Sequence, residues 1–360
     1  MKAYIAKKLP IEYKIDKELL RLLAEANQKY GEYKSLLNTL EFDSSFFLNS
    51  VLLTESFKST QIEGTQISQD EMYYLKYKDI TDDSRELQNL KNAIEYAYKQ
   101  IQEGKIIDFS LINEMHKIIL DSVRGSGKEP GKIRTTQNWI GPKGVSIEGA
   151  TFVPPIPEQV PELLINLYEY MNDAFIDPCV INIALAHAQF ETIHAYKDDN
   201  GRLGRALIPV QLALLDETKP ILFMSEILEL YKPSYQRYLM ESRKGNYAGY
   251  IKFFLQCVID QCRNYIYKLN RIKEIYHHDM DIIKKIKGNT VYRIMPILMR
   301  QIVFTKKEVE KMSGASATTV SKIINQLVDL GVIETDTTVL KKGYRYQSIY
   351  NLFVAEDDGC

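Results

Sequence analysis

Twelve residues, His194-Ala-Tyr-Lys-Asp-Asp-Asn-Gly-Arg-Leu-Gly-Arg205, interrupt an otherwise apolar stretch of chain. Ile181 to Ile193 before them and Leu203 to Leu215 after them carry the Ala, Leu and Ile density of buried helices. The insert therefore reads as a loop that hands one core helix to the next, which commits this part of the chain to helical packing. A glycine-bearing loop that opens a helix presents unpaired backbone N–H groups, an anion site by construction. Arg202 and Arg205 lie three apart on one face of that helix's first turn. Cations there oppose the helix dipole, so phosphate binding explains them better than stability does.

The rest of the chain reads as mainly α. Helical periodicity begins near Lys17 and carries Leu19, Leu20, Leu22 and Leu23. Ser44 to Lys58 repeats Phe46, Phe47, Val51, Leu52 and Phe57 at helical spacing, then runs into Ser59-Thr-Gln-Ile-Glu63-Gly64. Read locally, Gly64 is a helix C-cap and Glu63 a surface carboxylate. Thr81 to Gln102 is amphipathic through Leu87, Leu90, Ile94, Ala97 and Ile101, and Phe109 to Leu120 follows. Further helices are expected over Pro161 to Asn172, Tyr231 to Ser242 and Gly249 to Leu269, with a charged linking helix from Arg263 to Lys287. His116 and His187 read as packed core histidines, because no partner residues accompany them. Between these helices, Lys132 to Gly141 and Ala150 to Val153 read as two strands of a hairpin around a turn at Pro142. Eight helices with short loops and one hairpin make a helical bundle.

A different unit begins near Thr290. Thr305-Lys-Lys-Glu308 spells a capping box, Ser313-Gly-Ala a turn, and Ser316 to Leu330 a second helix. Val332 to Glu334 and Tyr344 to Tyr350 read as strands, which makes a winged-helix pattern. Thr290 to Val354 holds nine Lys/Arg against five Asp/Glu, with Lys341, Lys342 and Arg345 in the wing and Lys322 on the second helix. That is a modest phosphate-binding signal, and duplex DNA, a protein contact and homodimerisation stay open as its use. The expected domains are 1–105, 106–288 and 289–360.

Composition narrows the function classes. A formal net charge of −1 over 360 residues argues against a globally basic nucleic-acid binder. No apolar run approaches the roughly 20 residues of a membrane span, and the N-terminus lacks a signal-peptide pattern, so no membrane partner is expected. Four cysteines without metal or disulfide spacing fit a cytoplasmic setting.

The twelve-residue loop resembles the signature of the Fic family, His-Pro-Phe-x-Asp/Glu-Gly-Asn-Gly-Arg-x-x-Arg. His194, Asp198, Asn200, Gly201, Arg202 and Arg205 match it, and Tyr196 stands for the Phe. Ala195 replaces the Pro and Asp199 the first Gly. Ser59, Glu63 and Gly64 resemble the family's inhibitory motif, Ser/Thr-x-x-x-Glu-Gly/Asn. The resemblance implies a Fic-type helical bundle with a β-hairpin flap, and transfer of AMP from ATP to a Tyr, Thr or Ser hydroxyl of a target protein or of the chain itself. It assigns His194 as base and Asp198 to Mg²⁺. Asp199, Asn200, Gly201, Arg202 and Arg205 fall to the nucleotide, and Trp139, Ile140, Gly141 and Phe152 to a flap that holds the target. It also implies self-inhibition, with Glu63 pairing Arg205 and denying it to the γ-phosphate.

The residue types suit that chemistry. Histidine, with a pKa of about 6.5, takes a hydroxyl proton at neutral pH. A carboxylate is a hard ligand for Mg²⁺, and oriented amides and forked guanidinium groups suit phosphates. Other phosphoryl or nucleotide transfer, removal of AMP from a target, and a DNA-binding regulator with an inactive Fic-like core remain the alternatives.

Overall fold

The computed structural model describes residues 2–64, 68–78, 81–123, 127–142, 144–337 and 342–354. Its spine is a long pair. Helix α1 (Lys17–Asn38) starts on Asp16, whose side chain accepts from the Leu19 N–H. It packs along the 37-residue helix that closes the bundle. Phe47 of α2 (Ser45–Ile62) meets this pair at Tyr33 and Tyr265, and α2 carries buried residues on every side, as a central helix must. It ends at Glu63, followed by Gly64 at φ +95°, so the C-cap reading of this stretch holds.

Helices α3 (Gln69–Tyr74) and α4 (Asp82–Gln102) follow, each opened by a capping box, then α5 (Phe109–Ile119). Helices α6 (Val160–Asn172), α7 (Cys179–Ile193) and α8 (Asn200–Leu215) pack in succession, with α8 against α4 and α7. Helices α9 (Ser225–Leu230), α10 (Lys232–Arg243) and α11 (Tyr247–Ile283) complete the bundle. The two helices expected over Gly249–Leu269 and Arg263–Lys287 are one, because nothing between them breaks a helix. The helix ends at Ile283, short of the expected Lys287, and the chain turns at Gly288, at φ +99°.

The expected flap hairpin is not a sheet. Its two arms share one isolated bridge, Ile140 with Phe152. Polar side chains along the first arm hydrogen-bond inward to backbone carbonyls of the helical core, and Pro154 and Pro155 on the second arm lack the N–H a ladder needs.

The C-terminal unit comprises α12 (Thr290–Gln301), β1 (Val303–Phe304), α13 (Lys306–Ser313), α14 (Ala317–Asp329), β2 (Glu334–Asp336), β3 (Gly343–Arg345) and α15 (Gln347–Val354). The strands form one antiparallel sheet in the order β1-β3-β2. The capping box at Thr305 and Glu308 is present, and Gly314 turns α13 into α14 at φ +66°. The strand expected over Tyr344–Tyr350 stops at Arg345. The Tyr346 N–H makes one more bond in register with β1, to the Ile302 carbonyl at 2.8 Å, its hydroxyl pairs with Asp279, and α15 begins one residue later. Lys341 lies outside the described residues, and Lys342 is exposed. Arg345 is spent internally, on the Tyr74 hydroxyl at 3.2 Å and over the Tyr350 ring. Among the described residues no helix is long and apolar enough to cross a membrane.

Candidate active site

The site forms where α7 ends and α8 begins. His194 caps α7 in the left-handed region at φ +49°, and Asp199 takes the same conformation at φ +59° before α8. Between them the loop is braced by Asn200, whose side chain accepts from the Tyr196 N–H and donates to the Tyr196 carbonyl, both at 2.8 Å. The Tyr196 ring is buried and stacks on His116 at 4.0 Å. The Gly131 N–H donates to His116 Nδ1 at 2.8 Å, so Nε2 carries the proton that it gives to the Asp198 carbonyl at 3.1 Å. Burial pushes His116 down to about 4. His187 is also a core histidine: Nδ1 meets the Gly204 carbonyl at 3.1 Å and Nε2 the Tyr235 hydroxyl at 2.8 Å.

Arg134 was missed by the sequence reading. Its buried guanidinium donates to the carbonyls of His194 at 2.9 Å, Pro155 at 2.5 Å, and Ile193 and Thr136 at 3.3 Å. Asn138 adds bonds to the carbonyls of His194 at 3.2 Å and Tyr196 at 3.0 Å. The first flap arm is thereby tied to the loop that bears His194. The only local signal was a run of polar side chains in a segment read as extended. Burial, with Arg243 and Arg134 nearby, pushes the His194 pKa down to about 3, so the imidazole is neutral at pH 7 in this closed arrangement. Its Nδ1 is enclosed without a hydrogen bond.

Both arginines of the loop are held by carboxylates. Arg205 is buried, and donates to Ser59 Oγ and the Ser59 carbonyl at 2.9 Å each, and to Glu63 Oε1 at 2.7 Å. Burial opposes the charge on Arg205, but Glu63, with Tyr235 and Glu191, more than offsets it and raises its pKa. Packing around the Glu63 carboxyl works to raise its pKa, and Arg205 outweighs that and holds it low. Gly201 lies directly beneath: a Cβ there would collide with Glu63 Oε1. Glu63 thus occupies the anion position at the start of α8. Arg202 meets Asp199 through Nε at 2.5 Å and through a second nitrogen, and meets Glu86 of α4 at 3.0 Å. Burial pushes Asp199 up to about 6 despite Arg202. Glu86 and the buried Glu191, which burial pushes up to about 7, were not anticipated. Glu86 reaches Arg202 across 116 residues, and Glu191 Oε1 is enclosed without a hydrogen bond.

Asp198 is exposed on the loop, and its Oδ1 accepts from the Asp199 N–H at 3.0 Å. Of the flap residues, Trp139 is 42% exposed, with its indole N–H on the Val145 carbonyl, and Gly141 is exposed. Ile140 is half-buried. Phe152 turns inward, under the Arg243 guanidinium at 3.9 Å and against the Tyr4 ring. It anchors the flap.

Two family models match the chain: "Fic/DOC family N-terminal" over residues 20–99 and "Fic/DOC family" over 106–212. Together they cover more than half of it. The chain belongs to the Fic/DOC family. It is 35% identical over 110 residues to a protein adenylyltransferase of Caenorhabditis briggsae, covering 30% of this chain and 19% of that protein. To a probable protein adenylyltransferase of Aquifex aeolicus it is 26% identical over 165 residues, covering 41% of this chain and 52% of the other. It therefore spans a fifth to about half of the length of these relatives. The fold matches the crystal structure of a Fic family protein from Desulfovibrio desulfuricans with a TM-score of 0.60 at 15% identity, over 93% of this chain and 97% of that one. A Fic domain-containing signaling protein from Bacteroides thetaiotaomicron matches with a TM-score of 0.54 at 19% identity, over 68% and 97%.

Proposed function

We propose that the chain is a self-inhibited protein adenylyltransferase, which moves AMP from ATP to a Tyr, Thr or Ser hydroxyl of a target protein or of itself. The observation that carries this reading is the pairing of a neutral His194 with a helix N-terminus at Gly201, flanked by Arg202 and Arg205, that a carboxylate already fills. The adenylyltransferase names of the relatives support it. His194 takes the target hydroxyl's proton as that oxygen attacks the α-phosphorus, the bond to the bridging oxygen breaks, and pyrophosphate leaves. Backbone N–H groups at Gly201 and Arg202, with the two guanidinium groups, receive the phosphates once their carboxylates withdraw. Asn200 contributes by holding the loop in shape.

Among the described residues no three metal-ligating side chains converge. Mg²⁺ takes one or two carboxylates and fills its shell with water and phosphate oxygens. Asp198, exposed at the loop, is the residue that would hold it, and the ion would offset charge on the α- and β-phosphates. We further read 1–105 as a region carrying the inhibitory helix, 106–288 as the Fic core and 289–360 as a winged-helix domain. With Arg345 turned inward, a DNA role for that domain rests on Lys322, Lys342 and neighbouring surface cations.

The test is label transfer in a Glu63→Gly background, with ATP labelled at the α- or the γ-phosphate. The α label should appear on protein, and His194→Ala should abolish it while ATP still binds. Protein-bound γ label without α label would overturn the reading.

A further inference from the structure

Asp199 occupies its position at a loss to the fold. It is a left-handed residue where glycine has no steric penalty, its side chain is buried, and its Oδ2 is enclosed without a hydrogen bond. Such strain, at a position where glycine would serve the backbone, points to function. What Asp199 does hold is Arg202. The three side chains Arg202, Asp199 and Glu86 are only 8%, 4% and 6% exposed, and each nitrogen of the guanidinium faces a carboxylate oxygen. The arrangement sets two acids against one base at the point where a nucleotide's phosphates would arrive. Glu63 on Arg205 is a separate contact, made by a different element.

We infer that Asp199, with Glu86, is a second latch, which holds Arg202 off the phosphates of an incoming nucleotide. This rests on the reading of the loop as a nucleotide site. Withdrawal of Glu63 frees Arg205 alone. While Arg202 stays paired, the second phosphate gains little, and this chain discriminates weakly between a nucleoside mono- and diphosphate. Removing Asp199 releases the fork for bidentate phosphate contact and lets that preference appear.

The experiment is titration calorimetry of the full chain with AMP, ADP and ATP in Mg²⁺, comparing Glu63→Gly with Glu63→Gly/Asp199→Gly. The second substitution should tighten ADP and ATP by about tenfold, equivalent to about 1.4 kcal/mol, and AMP by less than about twofold. Glu63→Gly/Glu86→Gln, which keeps the side-chain size, should shift ADP in the same direction by a smaller factor. Asp199→Asn serves if the glycine variant does not fold, since asparagine tolerates the left-handed region. ADP affinity unchanged or weakened in these variants would overturn the latch, even if α label still transfers from ATP. Tighter ADP binding without any α-label transfer would uphold the latch and sink the adenylylation reading instead.

Discussion

Replacing Glu63 by glycine isolates the first latch. The contact is one charge-assisted hydrogen bond, Arg205 to Glu63 at 2.7 Å, of a kind worth about 1.5–3 kcal/mol when both groups are buried. The Arg205 side chain is 2% exposed, but that of Glu63 is 44% exposed, and solvent screening reduces the contact to about 1–2 kcal/mol. Glu63 also fills the space above Gly201; on the proposed reading a phosphate oxygen would sit there, and the closed latch and a seated triphosphate would exclude each other. Under mutual exclusion the apparent Kd equals the intrinsic Kd divided by the open fraction. Opening the latch should then tighten Mg-ATP by about 5- to 30-fold. Arg205 keeps both bonds to Ser59 in the variant, so its own geometry survives. Calorimetric Kd values and α-label incorporation on wild type, Glu63→Gln and Glu63→Gly read the effect. The glutamine, which keeps the shape without the charge, should fall between the other two. Glu63→Gly within twofold of wild type in both readouts would refute the reasoning.

Two further predictions concern the frame around the site. Arg134→Met leaves the carbonyls of Ile193 and Pro155 without their guanidinium donor in the interior and that of His194 with Asn138 alone, and should cost about 3 kcal/mol; an unchanged urea midpoint would show that the clamp is dispensable. The pKa values of His116, His187 and His194 are depressed to about 4, 3 and 3, below their unfolded value, so their contribution to stability is lost as pH falls from about 6.5 toward those values. Glu55 and Glu191, raised to about 7, work in the opposite sense: their contribution is lost as pH rises toward 7. Removing one histidine therefore changes the balance measurably. His116→Gln should lower the slope of unfolding free energy between pH 4.5 and 6.5 by up to about 1.4 kcal/mol per pH unit, and parallel slopes in urea titrations would contradict the assignment.

How much of this was legible in the sequence depends on distance along the chain. Helices α4 and α5 came out because one face repeats at 3.6 residues and Thr81 and Asp108 mark their starts, all local signals. The flap arms failed because alternation is also a local rule, while Arg134 and Asn138 spend their bonds 60 and 58 residues away on the first arm's distant neighbours. Arg202 and Arg205 show the same limit most sharply. By local sequence they are equivalent, two cations in the first turn of α8. Folding gives Arg205 to Ser59 and Glu63 at the end of α2, and Arg202 to Glu86 on α4 and to Asp199 on its own loop. The Glu63 pairing was anticipated only through a family resemblance, and the Glu86 pairing, across 116 residues, had no signal at all. The difference matters for control. Displacing the end of α2 carries Glu63 away from Arg205 and leaves Arg202 held, because Asp199 moves with the same loop. On the proposed reading, a partner acting on α2 alone would free half of the phosphate cradle, and full release would require the bound nucleotide or its cation to compete directly with Asp199 and Glu86.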